Sequence, residues 1–152
     1  MSNIADAEGD FANARALLER ALAISEKLGP ENSTTATCLS NLAGFLQSHD
    51  ELAGAQPRFE RAIAIREKTL GSGDPTTNRD RCCLAYVLLA MGQSAQALAL
   101  SETALADHDK TLGPNHRWTK DSARVNAEAL DALGRGEDAA ALRTHYALGP
   151  EV

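Results

Sequence analysis

Aromatic side chains are scarce. Three phenylalanines, two tyrosines and one tryptophan make up 4% of the 152 residues. A sheet protein would want more of them, together with β-branched residues, to fill its pleated faces. Cysteine is also rare. The three present, Cys38, Cys82 and Cys83, are odd in number and include an adjacent pair that bridges only with strain. This argues against a disulfide framework and for a reducing, cytoplasmic setting. Basic runs are missing, and 15 Lys+Arg against 21 Asp+Glu leave a net charge of −6. That balance argues against nucleic acid or an anionic membrane as partner. No apolar run approaches the ~18 residues of a membrane span. The start, Met1-Ser2-Asn3-Ile4-Ala5-Asp6, lacks the basic and apolar regions of a signal peptide.

What is abundant is alanine, within a 43% hydrophobic content. Alanine is the best helix former and lets neighbouring axes approach closely. It is arranged in a repeat. Leu28-Gly29, Leu70-Gly71 and Leu112-Gly113 recur at equal intervals, so that residues 28–69 lie over 70–111 without a gap. The overlay matches Thr35 with Thr77, Leu42 with Leu84, Leu46 with Leu88, Ala62 with Ala104 and Lys68 with Lys110. Each unit reads as two helices. Asn32 or Ser33 caps the first, whose stripe is Leu39, Leu42, Ala43 and Leu46. The stripe breaks at Ser48-His49-Asp50, and Leu52, Ala55, Phe59, Ala62 and Ile63 carry the second. Gly71 ends it, and Asp74-Pro75 restarts the pattern. Pro57 belongs in the first two turns of the second helix, where its missing N–H costs least.

Unit two repeats the pattern with Leu84, Ala85, Leu88, Ala97, Leu98, Ala104 and Leu105, and unit three with Ala127, Leu130, Ala139 and Leu142. Residues 9–27 match a second helix only, Arg20–Ile24 mirroring Arg61–Ile65. The expectation is one array over 1–152: an orphan second helix (9–27), repeats at 28–69, 70–111 and 112–147, and a tail at 148–152. That is an all-α chain of about seven helices.

The stretches Leu39-Ser40-Asn41-Leu42-Ala43, Phe59 to Lys68 and Leu70-Gly71 resemble tetratricopeptide repeats, of the longer kind found in kinesin light chains. The resemblance covers residues 9–147. It implies an α-solenoid of antiparallel hairpins, a right-handed superhelix whose first helices line a concave groove. It further implies a non-enzymatic scaffold that binds a peptide or protein segment there. The groove residues expected beside the buried stripes are Thr37, Ser40, Asn41, Gly44 and Gln47 in unit one. Arg79, Cys82, Cys83, Tyr86 and Leu89 follow in unit two, and Asp121, Arg124, Val125, Glu128 and Asp131 in unit three. Asn41 stands where related repeats bond a peptide backbone; Cys83 and Val125 hold the equivalent places without an amide.

Departures from the repeat are also informative. Asn126 stands where Leu42 and Leu84 do, and Arg143 and Tyr146 replace apolar residues. The expectation is a water-facing terminal repeat. At the other end the orphan helix keeps packing residues Phe11, Ala14, Leu18 and Ala21 with no helix before it. Either the chain belongs to a longer array, or this face, with Phe11 and Leu18, serves self-association as a structural or oligomerisation module.

Chemical motifs are thin. No two of His49, His108, His116 and His145 stand at i and i+4, and Cys82-Cys83 lacks zinc-ligand spacing. Gly71-Ser72-Gly73-Asp74 has neither strand before it nor Lys-Ser after it. The pairs Asp107/Asp109 and Glu137/Asp138 read as solvated helix ends. The reading is no enzyme, no cofactor and no metal, and a cysteine paired with histidine is not expected.

Overall fold

A computed structural model describes residues 2–150, with side chains from Gly9 onward. Among the described residues there are seven helices and no strands: α1 (Ser2–Leu28), α2 (Ser33–Ser48), α3 (Leu52–Thr69), α4 (Pro75–Ala90), α5 (Ser94–Leu112), α6 (Arg117–Ala132) and α7 (Gly136–His145). The chain divides into two compact units, Met1–Ile65 and Arg66–Val152, the division falling near the end of α3. No helix among the described residues is long and apolar enough to cross a membrane.

Local chemistry explains where the helices start. The Asn32 side chain accepts from Thr35 N at 2.8 Å. Asp74 accepts from Thr76 N and Thr77 N at 2.8 and 3.2 Å, with Pro75 in the first helical position. His116 caps α6 through Nδ1, which accepts from Trp118 N at 3.1 Å. Pro57 sits early in α3 and is exposed.

The turn from each second helix to the next first helix has one recurring bond. Thr35, Thr77 and Thr119 are fully buried, and each hydroxyl donates to the carbonyl of the glycine six residues earlier. The distances are 2.6 Å to Gly29, 3.2 Å to Gly71 and 2.8 Å to Gly113. Gly71 and Gly113 have φ of 95° and 85°, where a Cβ is strained. Gly29 is glycine for another reason. A Cβ there would fall 2.5 Å from Asn32 Nδ2, the side chain that caps α2.

In the first unit, Ala36 and Leu39 of α2 pack on Ala62 and Ile65 of α3, with Leu22 of α1 against them. Arg15 of α1 makes a forked pair with Glu51 at 2.8 and 2.9 Å. Arg61 of α3 pairs with Glu26 of α1 and donates to Pro30 O at 3.2 Å. In the second unit, Arg66 Nε donates to Asp80 Oδ2 at 2.8 Å, both side chains being buried. Arg81, also buried, bonds Ser72 O and Asn78 Oδ1, each at 2.6 Å, and pairs with Glu67.

The last repeat differs from the water-facing cap expected of it. Asn126 is only 3% exposed. Tyr146 is buried with Leu105 and Ala123, and Leu142 and Leu148 lie against that cluster. Its phenol donates to Asp109 Oδ2 at 3.0 Å. The tyrosine ring supplies apolar area while its hydroxyl reaches a carboxylate, so a polar letter closes a core. Arg143 is the outward member, paired with Asp131 at 2.6 Å.

Asp50 has φ of 61°, a left-handed conformation that Gly92 and Gly134 occupy at the matching turns. An L-residue pays there for its Cβ, though aspartate less than most. Asp50→Gly is expected to raise unfolding stability by about 0.5–1 kcal/mol. Thr119→Val, which leaves a buried carbonyl without its donor, is expected to lower it by about 1–3 kcal/mol. Urea denaturation followed by circular dichroism measures both. A neutral result at Thr119 would mean that water replaces the hydroxyl.

Candidate functional site

On α2, Thr37 and Asn41 are exposed, and Ser40, Gly44 and Gln47 are half-buried. The Thr37 hydroxyl donates to Ser33 O at 2.9 Å and that of Ser40 to Ala36 O at 3.0 Å. Both hydroxyls thus serve their own helix. The Asn41 amide is the exposed group of this face that can both donate and accept.

On α4, Arg79, Cys83 and Tyr86 follow at helical spacing along one face. Arg79 is exposed, Cys83 half-buried and Tyr86 47% exposed. A cavity of about 110 Å³ lies beside them, lined by Arg79, Cys82, Cys83, His108, Trp118 and Asp121. The Arg79 guanidinium stacks over the Trp118 ring at 4.9 Å from its centroid. Such stacking holds a long side chain in place and leaves its edge donors free to project. Asp121 takes Arg124 at 3.1 Å and Arg117 at 3.9 Å. Arg124, expected to hold a partner's carboxylate, thus already has one. Glu128 is half-buried on the same helix.

Three expectations need correction. Val125 is buried at 6% exposure and presents no groove surface, and Cys82, at 8%, shows only as part of the cavity wall. Cys83 and His108, not expected to meet, line the same cavity. Proximity does not make a nucleophile of this pair. Pro75 O can only accept, so His108 Nε2 donates to it at 2.9 Å, and Nδ1 faces the Ser122 hydroxyl at 3.0 Å. Burial pushes the Cys82 thiol up to about 11, against a lowering bond from Ser122. Burial, and then the neighbouring Cys82, push Cys83 up to about 12. Both thiols stay protonated at neutral pH, the reverse of an activated cysteine. Among the described residues no group of three or more His, Cys, Asp or Glu is placed to hold a metal.

Trp118 and His108 escaped the sequence reading. Trp118 is the chain's one tryptophan, in the first turn of α6, and that scarcity was the signal. A broader depression of about 640 Å³ lies among α5, α6 and α7, with Glu102, Asn126, Leu130, Arg135 and Tyr146 on its walls.

The two residues expected to serve self-association are half-buried, and Phe11 is turned onto α2. Phe11 stacks on Phe45 of α2, ring centroids 5.1 Å apart and planes at 19°, and meets His49 at 4.5 Å. Leu18 is half-buried. The open apolar face of α1 carries other residues: Leu17, Ile24 and Leu28 are 68%, 52% and 81% exposed.

Two tetratricopeptide repeat families match the sequence, over residues 1–68 and 81–117. Among solved structures, the chain is similar to the nearly identical TPR-like repeats of a kinesin light chain from Podosopora anserina. For that structure the TM-score is 0.75 at 29% identity, over 93% of this chain and 68% of the other. A variant of the same protein, with one glutamine changed to methionine, gives a TM-score of 0.77 at 29% identity, over 93% and 67%. No curated protein sequence matches.

The thiol shifts set an alkaline limit. A thiol ordinarily near 9.0 that rises to about 11 on folding keeps its proton longer in the folded chain. Its contribution is fully present below pH 9 and is lost as pH rises through the folded value. Stability is therefore expected to fall above pH 9, and to fall less in the Cys82→Ala, Cys83→Ala double variant. Urea midpoints between pH 7 and about 10.5 test this; parallel slopes in the two proteins would refute it.

Proposed function

Since the chain belongs to the tetratricopeptide-repeat family, we propose that it is a non-enzymatic interaction module that binds a peptide or protein segment along its first helices. Tetratricopeptide repeats are in general protein–protein interaction modules. The observation that carries the reading here is the α4–α6 surface, where a stacked arginine, an exposed tyrosine and a small cavity adjoin.

The division of labour follows from the chemistry. The cavity has room for one modest side chain, with thiols and an indole as walls. Arg79, fixed by Trp118, offers planar donors to a carboxylate or backbone carbonyl beside it. Tyr86 offers a ring face for an apolar side chain. Arg124 acts through Asp121, holding that carboxylate at the cavity rim. On α2, in the first unit, Asn41 is by itself suited to a peptide backbone, with Gln47 about one and two-thirds turns on. The neutral thiols contribute shape, not reactivity.

Peptides selected by display against the whole chain test this. They are expected to lose about tenfold in affinity, roughly 1.4 kcal/mol, on Arg79→Ala or Tyr86→Ala. These exposed positions leave the fold intact, which circular dichroism would confirm. Selected peptides that bind both variants and Asn41→Ala as tightly as the parent would place the site elsewhere.

A further inference from the structure

The outer face of α1 is a surface of a different kind. Leu17, Ala21, Ile24 and Leu28 follow one another at steps of four, three and four, and all are exposed. That spacing is the seam of a helix that pairs with another helix. The repeat shows what such a seam normally meets. Ala21 and Ile24 occupy the places that Ala62 and Ile65 hold in α3. There the alanine is wholly buried and the isoleucine 3% exposed, under Ala36 and Leu39 of α2. The cover is an amphipathic helix with a small and a large apolar residue three apart.

Charge narrows the choice further. Arg20 and Lys27 flank the open side of the seam, one heptad apart, both exposed. Neither makes an ion pair among the described residues. Arg20 stands where Arg61 does in α3, and Arg61 takes the carboxylate of Glu26 from a neighbouring helix. Two copies of α1 laid seam to seam would set cation against cation along this flank, as like charges beside a seam repel.

We propose that the outer face of α1 docks an amphipathic helix of a partner protein. Its apolar seam alternates small and large residues, and acidic residues beside the seam reach Arg20 and Lys27. This site is separate from the α4–α6 surface and does not depend on it.

Two synthetic probes test it: a helix of about three heptads with alternating alanine and leucine along the seam and glutamate on both flanks, and a twin with lysine there. Binding of each labelled probe to the whole chain is read by fluorescence anisotropy. The acidic probe is expected to bind, and to lose about tenfold or more in affinity to Ile24→Glu. The Arg20→Glu, Lys27→Glu variant is expected to prefer the lysine probe, and Arg79→Ala to leave all of this unchanged. All these positions are on the surface, and circular dichroism confirms folding. Equal binding of the two probes, or of the acidic probe to Ile24→Glu, would overturn the proposal, as would no binding at all. A dimer of the parent chain in light scattering that Ile24→Glu abolishes would also overturn it, by making a second copy the occupant.

Discussion

The bond from a buried threonine hydroxyl to the carbonyl of the preceding Leu-Gly turn is the constraint on which the rest of the repeat depends. A helix end leaves several carbonyls without partners inside the helix, and water normally answers them. Here the turn is pressed under the first turn of the next helix, and the buried hydroxyls of Thr35, Thr77 and Thr119 take that place. The bond fixes where the next helix begins relative to the last one's end. With that distance set, the side chains one turn further along can meet only in one register. Asn32, Asp74 and His116 then differ as caps without changing the path of the chain.

The register is used by a second set of contacts. Where each second helix meets the next first helix, a polar pair crosses. Ser25 and Thr35 share a hydrogen bond at 2.6 Å, Arg66 and Asp80 form an ion pair, and His108 meets Ser122. The last two pairs occupy the same place in successive repeats. A buried ion pair does little for net stability, because desolvation offsets the attraction. It is sensitive to mispairing, however, since either partner alone is a buried charge. His108 has a second role, because its ring also lines the cavity beside Arg79 and Trp118.

Much of this was legible in the sequence, and the reason is periodicity. The Leu-Gly interval, the stripes of Leu39, Leu42 and Leu46 and of Leu84 and Leu88, the Asp74-Pro75 start and the tolerated Pro57 all depend on neighbours within one hairpin. What was misread depends on neighbours far along the chain. Asn126 and Tyr146 look like surface substitutions until Asp109 and Leu105 are placed beside the tyrosine. Phe11 looks like a bare packing residue until Phe45 and His49 meet it. Cys83 and His108 share a cavity because two helices bring them together, and no local pattern encodes that. Of the candidate site, the α4 stripe of Arg79, Cys83 and Tyr86 was readable from helical spacing, whereas Trp118 was not.

Repeat proteins grow and shrink when their genes gain or lose whole units, and the Arg66–Asp80 pair limits how freely this chain could do so. Arg66 lies at the end of the 28–69 repeat and its carboxylate lies in the 70–111 repeat. A tandem copy of residues 28–69 would bring Cys38, the counterpart of Asp80, against Arg66. Loss of residues 70–111 would bring Ser122 there instead. Either event takes the Asp80 carboxylate away from a buried guanidinium, which lowers stability because the desolvation cost of the charge is no longer offset by that pair. The units look interchangeable as helices, yet each carries half of a two-part key whose other half belongs to its neighbour, and their order is thereby inherited as a set.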